Sequence, residues 1–596
     1  MVQSGWFLLT FLVIFTKIYD IIGRMVVFME KIILLMRSLF LLVSFYGYIR
    51  FCSKHLRPEL AIGFLFCSIG SAMFLAGVLN MLSISAWLIA FAGVCLAFVS
   101  LRKKESIREI CCYGTVFFLI GAVFFLWLLY GSKFTHYDNF SHWAVAPQLM
   151  IRHNRFPNFT DPNYKFQAYP LGSSVFIYYF TEITGLSAEW FQMFAQAILL
   201  LGLMSSVFVF TTRRSTVFMA IFCSVILMCS NIAFTDLLVD TLLPLIGLAG
   251  VAFCIYYRDG MPKKLLYTIP YSVFLLSVKN SGIFFVAAIL GLAWHYTKSE
   301  KNRCFYRAAV LLSPFTTLLI WKIHVKRVFP DGLISKHSMS IANFSSVFQD
   351  KQPEDVIAII TAILRKIFSV SNTGILLLLT AVVLWLVWKH LSPSYRDVSG
   401  MILCLILVSY VVYQIGTIGM FLFSMPQYEA VRLAGYGRYH RTILTFLAGL
   451  LLIGFLLASE SIPSKKFRQL SFTVICSIVL LVALKPSVSY LFRQDLTGSE
   501  RERFDALFEE YGVQPHLRYA IIVSKDRDDA GYLRYLCRYR LGAQEHEIIT
   551  DDHLETADWI IFDYILFFEE TDATRSFLQK HYPDITGPVV DLNQYR

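Results

Sequence analysis

Charge is scarce in this chain: Asp, Glu, Lys and Arg make up 16% of its 596 residues. A disordered polar protein is excluded, because such chains combine high charge with little apolar content. The 12 cysteines show neither metal-ligand spacing nor a disulfide framework. Most lie inside apolar runs, as Cys67, Cys95, Cys223 and Cys404 do, where cysteine acts as a small hydrophobe. No cofactor signature and no internal repeat is present. The amino terminus has neither a basic start nor a small-residue cleavage site, so the first apolar segment is expected to stay in place.

What abounds is apolar sequence. Hydrophobic residues reach 57% and mean hydropathy is +0.59, in blocks long enough to cross a bilayer. The fold expected is mainly α: a polytopic transmembrane helical bundle with amphipathic helices on its outer face and a small C-terminal α/β domain. The net charge of +12 is topological, since basic residues cluster between apolar blocks; no nucleic-acid partner is expected.

Thirteen spans are expected, over 5–22, 30–49, 59–79, 83–101, 112–131, 188–210, 216–234, 237–257, 306–322, 373–390, 399–423, 441–459 and 470–491. Between Tyr267 and Trp294, two apolar stretches of about thirteen residues flank Lys279. Each rises only about 20 Å, against a hydrocarbon core of about 30 Å, so they read as a hairpin that does not fully cross. Short basic loops, such as Arg102-Lys103-Lys104 and Arg213-Arg214, are expected in the cytoplasm. Counting crossings from them puts 132–187, the turn at Asp236, 323–372, 424–440 and the tail from 492 outside. The inverted arrangement is the alternative, because Lys133, Arg152, Arg155 and Lys165 all lie in the 132–187 loop.

The chain therefore divides into N-terminal membrane helices (1–131), an outer loop carrying catalysis (132–187), a membrane core (188–491) and a soluble extracytoplasmic domain (492–596). In that last domain, 519–524 and 559–564 read as strands, and 531–541 and 567–581 as helices. It carries no phosphate loop, nucleophile elbow or metal motif, and reads as a structural or docking cap.

Polar residues at the mouths of apolar helices are costly unless they have a function. Asp138, in Tyr137-Asp138-Asn139-Phe140-Ser141-His142-Trp143, is placed to take a proton from an acceptor hydroxyl; the competing reading is a helix cap. Segment 141–152 is expected to lie flat as an amphipathic helix. His142, four residues on from Asp138, is expected to share its helical face and orient it or hold phosphate oxygens, unless it only anchors beside Trp143. Tyr169, within Tyr169-Pro170-Leu171-Gly172, opens an aromatic segment that re-enters the interface and could line a sugar or lipid groove.

Asp236 and Asp240 are expected one turn apart at the start of a span, suited to acceptor binding or to a divalent ion, with an N-cap as the simpler role for Asp236. Lys279 is an intramembrane cation expected to meet the phosphate of a lipid carrier, with snorkelling to the outer interface as the competing account. Arg432 and Arg438, in the loop before the 441–459 span, match phosphate oxygens, or else form a collar on lipid headgroups.

Taken together, these motifs resemble the GT-C superfamily of integral membrane glycosyltransferases, in a bacterial branch that decorates cell-surface polymers. The resemblance rests on 137–143, Phe156-Pro157, 169–172, 236–240, Val278-Lys279 and 432–439. It implies inverting transfer of a sugar from a polyprenyl-phosphate donor to a glycan, polymer or lipid acceptor on the outer face, with Asp138 as base. It also implies no cofactor beyond a possible divalent cation, contacts with membrane lipids, and separate donor-synthesising and flippase partners. Many members have two adjacent acids where this chain has Asp138-Asn139, and this chain has extra spans ahead of the acid-bearing loop. A surface-polysaccharide polymerase or ligase, and a transporter or flippase of lipid-linked sugars, are the alternatives.

Overall fold

A computed structural model describes residues 29–329 and 341–596, apart from breaks at 105, 232–233, 299–303, 370–371, 392–395, 463–465, 513–516, 530, 543–544 and 586. The span expected over 5–22 lies outside the described residues.

The described chain is mainly helical. Seven helices are long and apolar enough to cross a membrane: α1 (Met29–Ser53), α2 (Pro58–Val78), α3 (Leu82–Arg102), α7 (Glu189–Phe210), α12 (Cys304–Val328), α16 (Arg396–Phe423) and α17 (Tyr436–Ser461). Four further expected spans are shorter apolar helices: α4 (Tyr113–Leu129), α8 (Arg214–Asn231), α15 (Thr373–Leu391) and α18 (Lys466–Leu484). This is a multi-pass membrane protein. Apolar side chains such as Ile120, Val123, Phe218 and Leu319 stay outward on the helices, as lipid-facing positions require.

The centre of the bundle is α2, α7, α9 (Leu242–Tyr256) and α17, whose faces are buried on nearly all sides. Small residues let backbones approach. A Cβ on Gly47 would lie 2.0 Å from the Gly93 carbonyl oxygen, so α1 and α3 touch there backbone to backbone.

The stretch around Lys279 departs in detail from a hairpin with equal arms. Helix α9 and the segment Arg258–Val278 form a bent pair at 72°, and that segment passes through two 3-10 turns around a single α turn, Met261–Lys264, before its longer helix, α10 (Ile269–Val278). The chain then passes through extended backbone at Lys279 into α11 (Ile283–Thr297). With ten and fifteen residues, α10 and α11 are both shorter than a bilayer crossing needs.

Two amphipathic helices, α13 (Ile341–Gln349) and α14 (Pro353–Ile367), pack against α16. In α14, Ile359, Ile363 and Ile367 turn inward at helical spacing. The segment expected to lie flat over 141–152 differs. It is a π turn, Asn139–Trp143, followed by α5 (Val145–His153), and it is largely buried because the C-terminal domain covers it. The aromatic segment after Gly172 is buried within the bundle: α6 (Gly172–Thr184) is enclosed by α2, α5 and α7.

The C-terminal domain contains helices α19 (Glu500–Glu510), α20 (Tyr532–Arg540) and α21 (Asp572–His581) and a sheet in the order β2-β1-β3-β4. Strand β1 (Tyr519–Val523) runs parallel to β2 (His546–Thr550) and β3 (Tyr564–Phe567), and β4 (Val589–Asp591) closes the edge antiparallel. The strand expected over 559–564 is displaced: Trp559–Ile561 is a 3-10 turn and the strand starts at Tyr564. The helix expected from 567 starts at Asp572, where Thr571 caps it.

This domain is clamped to the 132–187 loop. Arg501, 1% exposed, bonds Asp505, Glu189 and the Phe134 carbonyl, while Lys133 pairs with Asp505 at 2.8 Å. Tyr532 and Tyr539 pack edge-on or tilted against Phe140, and Tyr535 meets Tyr137 edge to face.

Candidate functional site

Four segments far apart in sequence converge at one charged cluster. The π turn supplies Asp138, the turn before α9 supplies Asp240, the break between α10 and α11 supplies Lys279, and the first turn of α17 supplies Arg438. Arg438 Nη1 donates to Asp138 Oδ2, and its Nε lies 3.1 Å from Asp240 Oδ2. Lys279 Nζ lies 3.4 Å from Asp240 Oδ1. The result is an alternating row, Asp138–Arg438–Asp240–Lys279, whose two negative and two positive charges balance. All four side chains are 31% exposed or less, so the attraction is little screened by water.

Aromatic rings wall the row. Lys279 Nζ sits 5.8 Å from the ring centres of both Trp143 and Tyr439, and Arg438 lies 5.4 Å from the Tyr439 ring. Tyr169 packs tilted against Trp143 and edge-on to His142, and burial pushes its phenol up to about 12.

The π turn explains how Asp138 is aimed. Ala144 N–H bonds the Asn139 carbonyl five residues back, which widens the turn and breaks the helical phase between 138 and 142. His142 therefore does not simply stack above Asp138 at helical spacing. Its Nδ1 shares a hydrogen with Ser141 Oγ at 2.6 Å, and its ring packs on Phe166.

Asp236 and Asp240 are not one turn apart on a helix, because α9 begins only at Leu242. They lie in the preceding turn, where Asp236 Oδ1 accepts from Leu238 N–H. Burial, with Asp240 and Asp138 adding to it, raises the Asp236 carboxyl to about 7. Both oxygens of Asp240 face cations. Among the described residues, no group of three His, Cys, Asp or Glu side chains is arranged to hold a metal ion.

Arg432 is not part of the row. It is exposed at the end of the short helix Gln427–Val431 and makes no ion pair among the described residues.

No known protein family, curated protein or solved structure matches this chain. The site therefore has to be read from its own geometry.

Three positioning residues escaped sequence reasoning. Asn139, fully buried, accepts Leu237 N–H on its side-chain oxygen and so ties the turn bearing Asp240 to the π turn bearing Asp138. Gln196, buried in α7, donates to the carbonyls of Asp236 and Leu238. His136 Nδ1 accepts the Asp138 N–H, and burial lowers its basicity. Only Asn139 carried a signal, its place beside Asp138, and it read as a missing second acid.

Proposed function

We propose that the protein is an integral membrane glycosyltransferase, acting on the extracytoplasmic side, that moves a sugar from a polyprenyl-phosphate carrier to a glycan, polymer or lipid acceptor. The observation that supports it best is the convergence of Asp138 with Arg438, Asp240 and Lys279 beside Trp143 and Tyr439. A carboxylate, two cations and flat aromatic faces are what transfer from a sugar phosphate requires.

In the resting arrangement Arg438 donates to Asp138. A donor phosphate competes for Arg438 and Lys279, and its capture frees one oxygen of Asp138. The acceptor O–H bond then breaks with its proton passing to Asp138. The acceptor oxygen bonds the anomeric carbon from the face opposite the phosphate, and the carbon–oxygen bond to phosphate breaks with its electron pair leaving on the carrier. Inversion follows from that geometry. Asp240 keeps the two cations in place between turnovers.

A second reading, a transporter of lipid-linked sugars, draws on the 72° bend after α9 and the helix break at Lys279, since broken helices beside a charged site are a transporter feature.

The test compares surface glycans from cells expressing wild type or Asp138→Asn at matched protein level. Transfer predicts loss of one linkage in the variant, and unchanged glycans refute it. Retained uptake of a lipid-linked sugar into vesicles by the same variant would favour transport.

A further inference from the structure

Apart from the charged row, a cavity of about 460 Å³ opens where α4 ends, α7 begins and the C-terminal domain docks. None of its lining residues belongs to the row. Its volume falls within the range of small-molecule sites.

The walls carry an excess of positive charge. Lys133, Arg152, Arg501 and Arg540 line the cavity, with Glu189 as the only acid in its wall. Asp505 behind it pairs with Lys133, Arg501 and Arg540, and Glu189 is taken by Arg501 and the Phe134 N–H. Two carboxylates thus face four cations. Arg152 is exposed, on the last turn of α5, and no ion pair engages it among the described residues.

The floor adds a second anion-directed element. Ser187, Ala188, Glu189 and Trp190 line it at the N-terminus of α7, a helix running to Phe210, and no side chain caps that end. The first-turn N–H groups and the helix dipole both favour an anion there. Independently, Gln192, also in the wall, is 3% exposed. Its Nε2 donates to the Ser187 carbonyl while its Oε1 has no hydrogen-bond partner. A buried acceptor left alone costs about 1–3 kcal/mol, so it calls for a hydroxyl or water. Trp190 packs tilted against Tyr130 at the end of α4, 5.0 Å between ring centres, an aromatic pair of the kind that sits among lipid headgroups.

From these we infer that the cavity is a binding site for a phosphate group that carries neighbouring hydroxyls, as a glycerol phosphate does, with the phosphate on Arg152 and the α7 N-terminus and a hydroxyl on Gln192. The source of that chemistry is either a phospholipid headgroup or a soluble polyol phosphate. The site stands whether or not the protein is a transferase.

The experiment is calorimetric titration of the full-length protein in detergent with glycerol 3-phosphate, inorganic phosphate and glycerol. Glycerol 3-phosphate is expected to bind most tightly. Arg152→Gln should weaken it at least about tenfold, as loss of one charge-assisted bond does. Gln192→Leu should erase its advantage over inorganic phosphate, and Asp138→Asn should keep the Arg152-dependent binding of wild type. Displacement of glycerol 3-phosphate by short-chain phosphatidylglycerol, but not by phosphatidylcholine, assigns the headgroup as the natural source; no displacement assigns the soluble phosphate. No saturable binding of any phosphate probe, or equal binding by wild type and Arg152→Gln, overturns the proposal. Because Asp138 takes no part, loss of transfer in Asp138→Asn with intact phosphate binding separates the two sites.

Discussion

Replacing Lys279 with methionine is the sharpest test of the charged row. The change keeps an unbranched apolar stem and removes the ammonium, leaving Arg438 alone between two carboxylates. At 3.4 Å from Asp240 Oδ1, the gross attraction is about 5 kcal/mol at an effective dielectric near 20. Breaking a largely buried pair from one side costs about 3–5 kcal/mol; with Lys279 18% exposed and Asp240 11% exposed, the expected loss is about 3 kcal/mol. Adding Asp240→Asn restores the balance of one carboxylate with one guanidinium, so the double variant should recover about 2 kcal/mol relative to the sum of the single losses. Unfolding in mixed micelles, followed by tryptophan fluorescence, measures all three. A loss under about 1 kcal/mol for Lys279→Met, or strictly additive losses in the double variant, would refute the coupled row.

Three further outcomes are expected. Asp236 binds its proton more tightly in the fold, at about 7 against an ordinary 3.8. The stability this gives is full below pH 4 and is lost as pH rises to about 7, at most about 4 kcal/mol, so Asp236→Asn should flatten the fall of melting temperature between pH 4 and 8. Arg501→Met strands Glu189 and loosens the clamp, costing about 3 kcal/mol; limited proteolysis should release the tail near residue 495, and an unchanged digest speaks against the clamp. Gly172→Ala drives a Cβ to within 2.7 Å of the Ser277 backbone, two residues before Lys279, and should lower stability by about 1–3 kcal/mol, whereas Gly437→Ala, with open space around it, should not.

The bundle was legible because spans are long apolar runs, and the basic loops between them are short. Every span expected within the described residues has a helix. The small domain was legible in kind but not in register. The apolar run 559–561 reads as strand, yet it forms a 3-10 turn, while the short β4 carries almost no periodic signal. Asp138, Asp240, Lys279 and Arg438 were each visible as costly polar residues near membrane. Their alternation in space was not, because contacts 300 residues apart, as between Asp138 and Arg438, leave no local pattern. Helical phase also misled: 3.6-residue spacing assigned His142 to Asp138 and paired Asp236 with Asp240, but a π turn interrupts one segment and the other is not yet helix.

The clamp between Lys133 and Asp505 joins positions 372 residues apart in the chain. Synthesis runs from the amino end at about 5–20 residues per second, so the 132–187 loop is made roughly 20–75 seconds before the partner that fixes it. During that interval Phe140 and Phe134, destined for burial against Tyr539, have nothing over them. Any truncation short of Arg540 would leave them so permanently, and quality-control proteases should recognise such products even when every membrane helix has inserted.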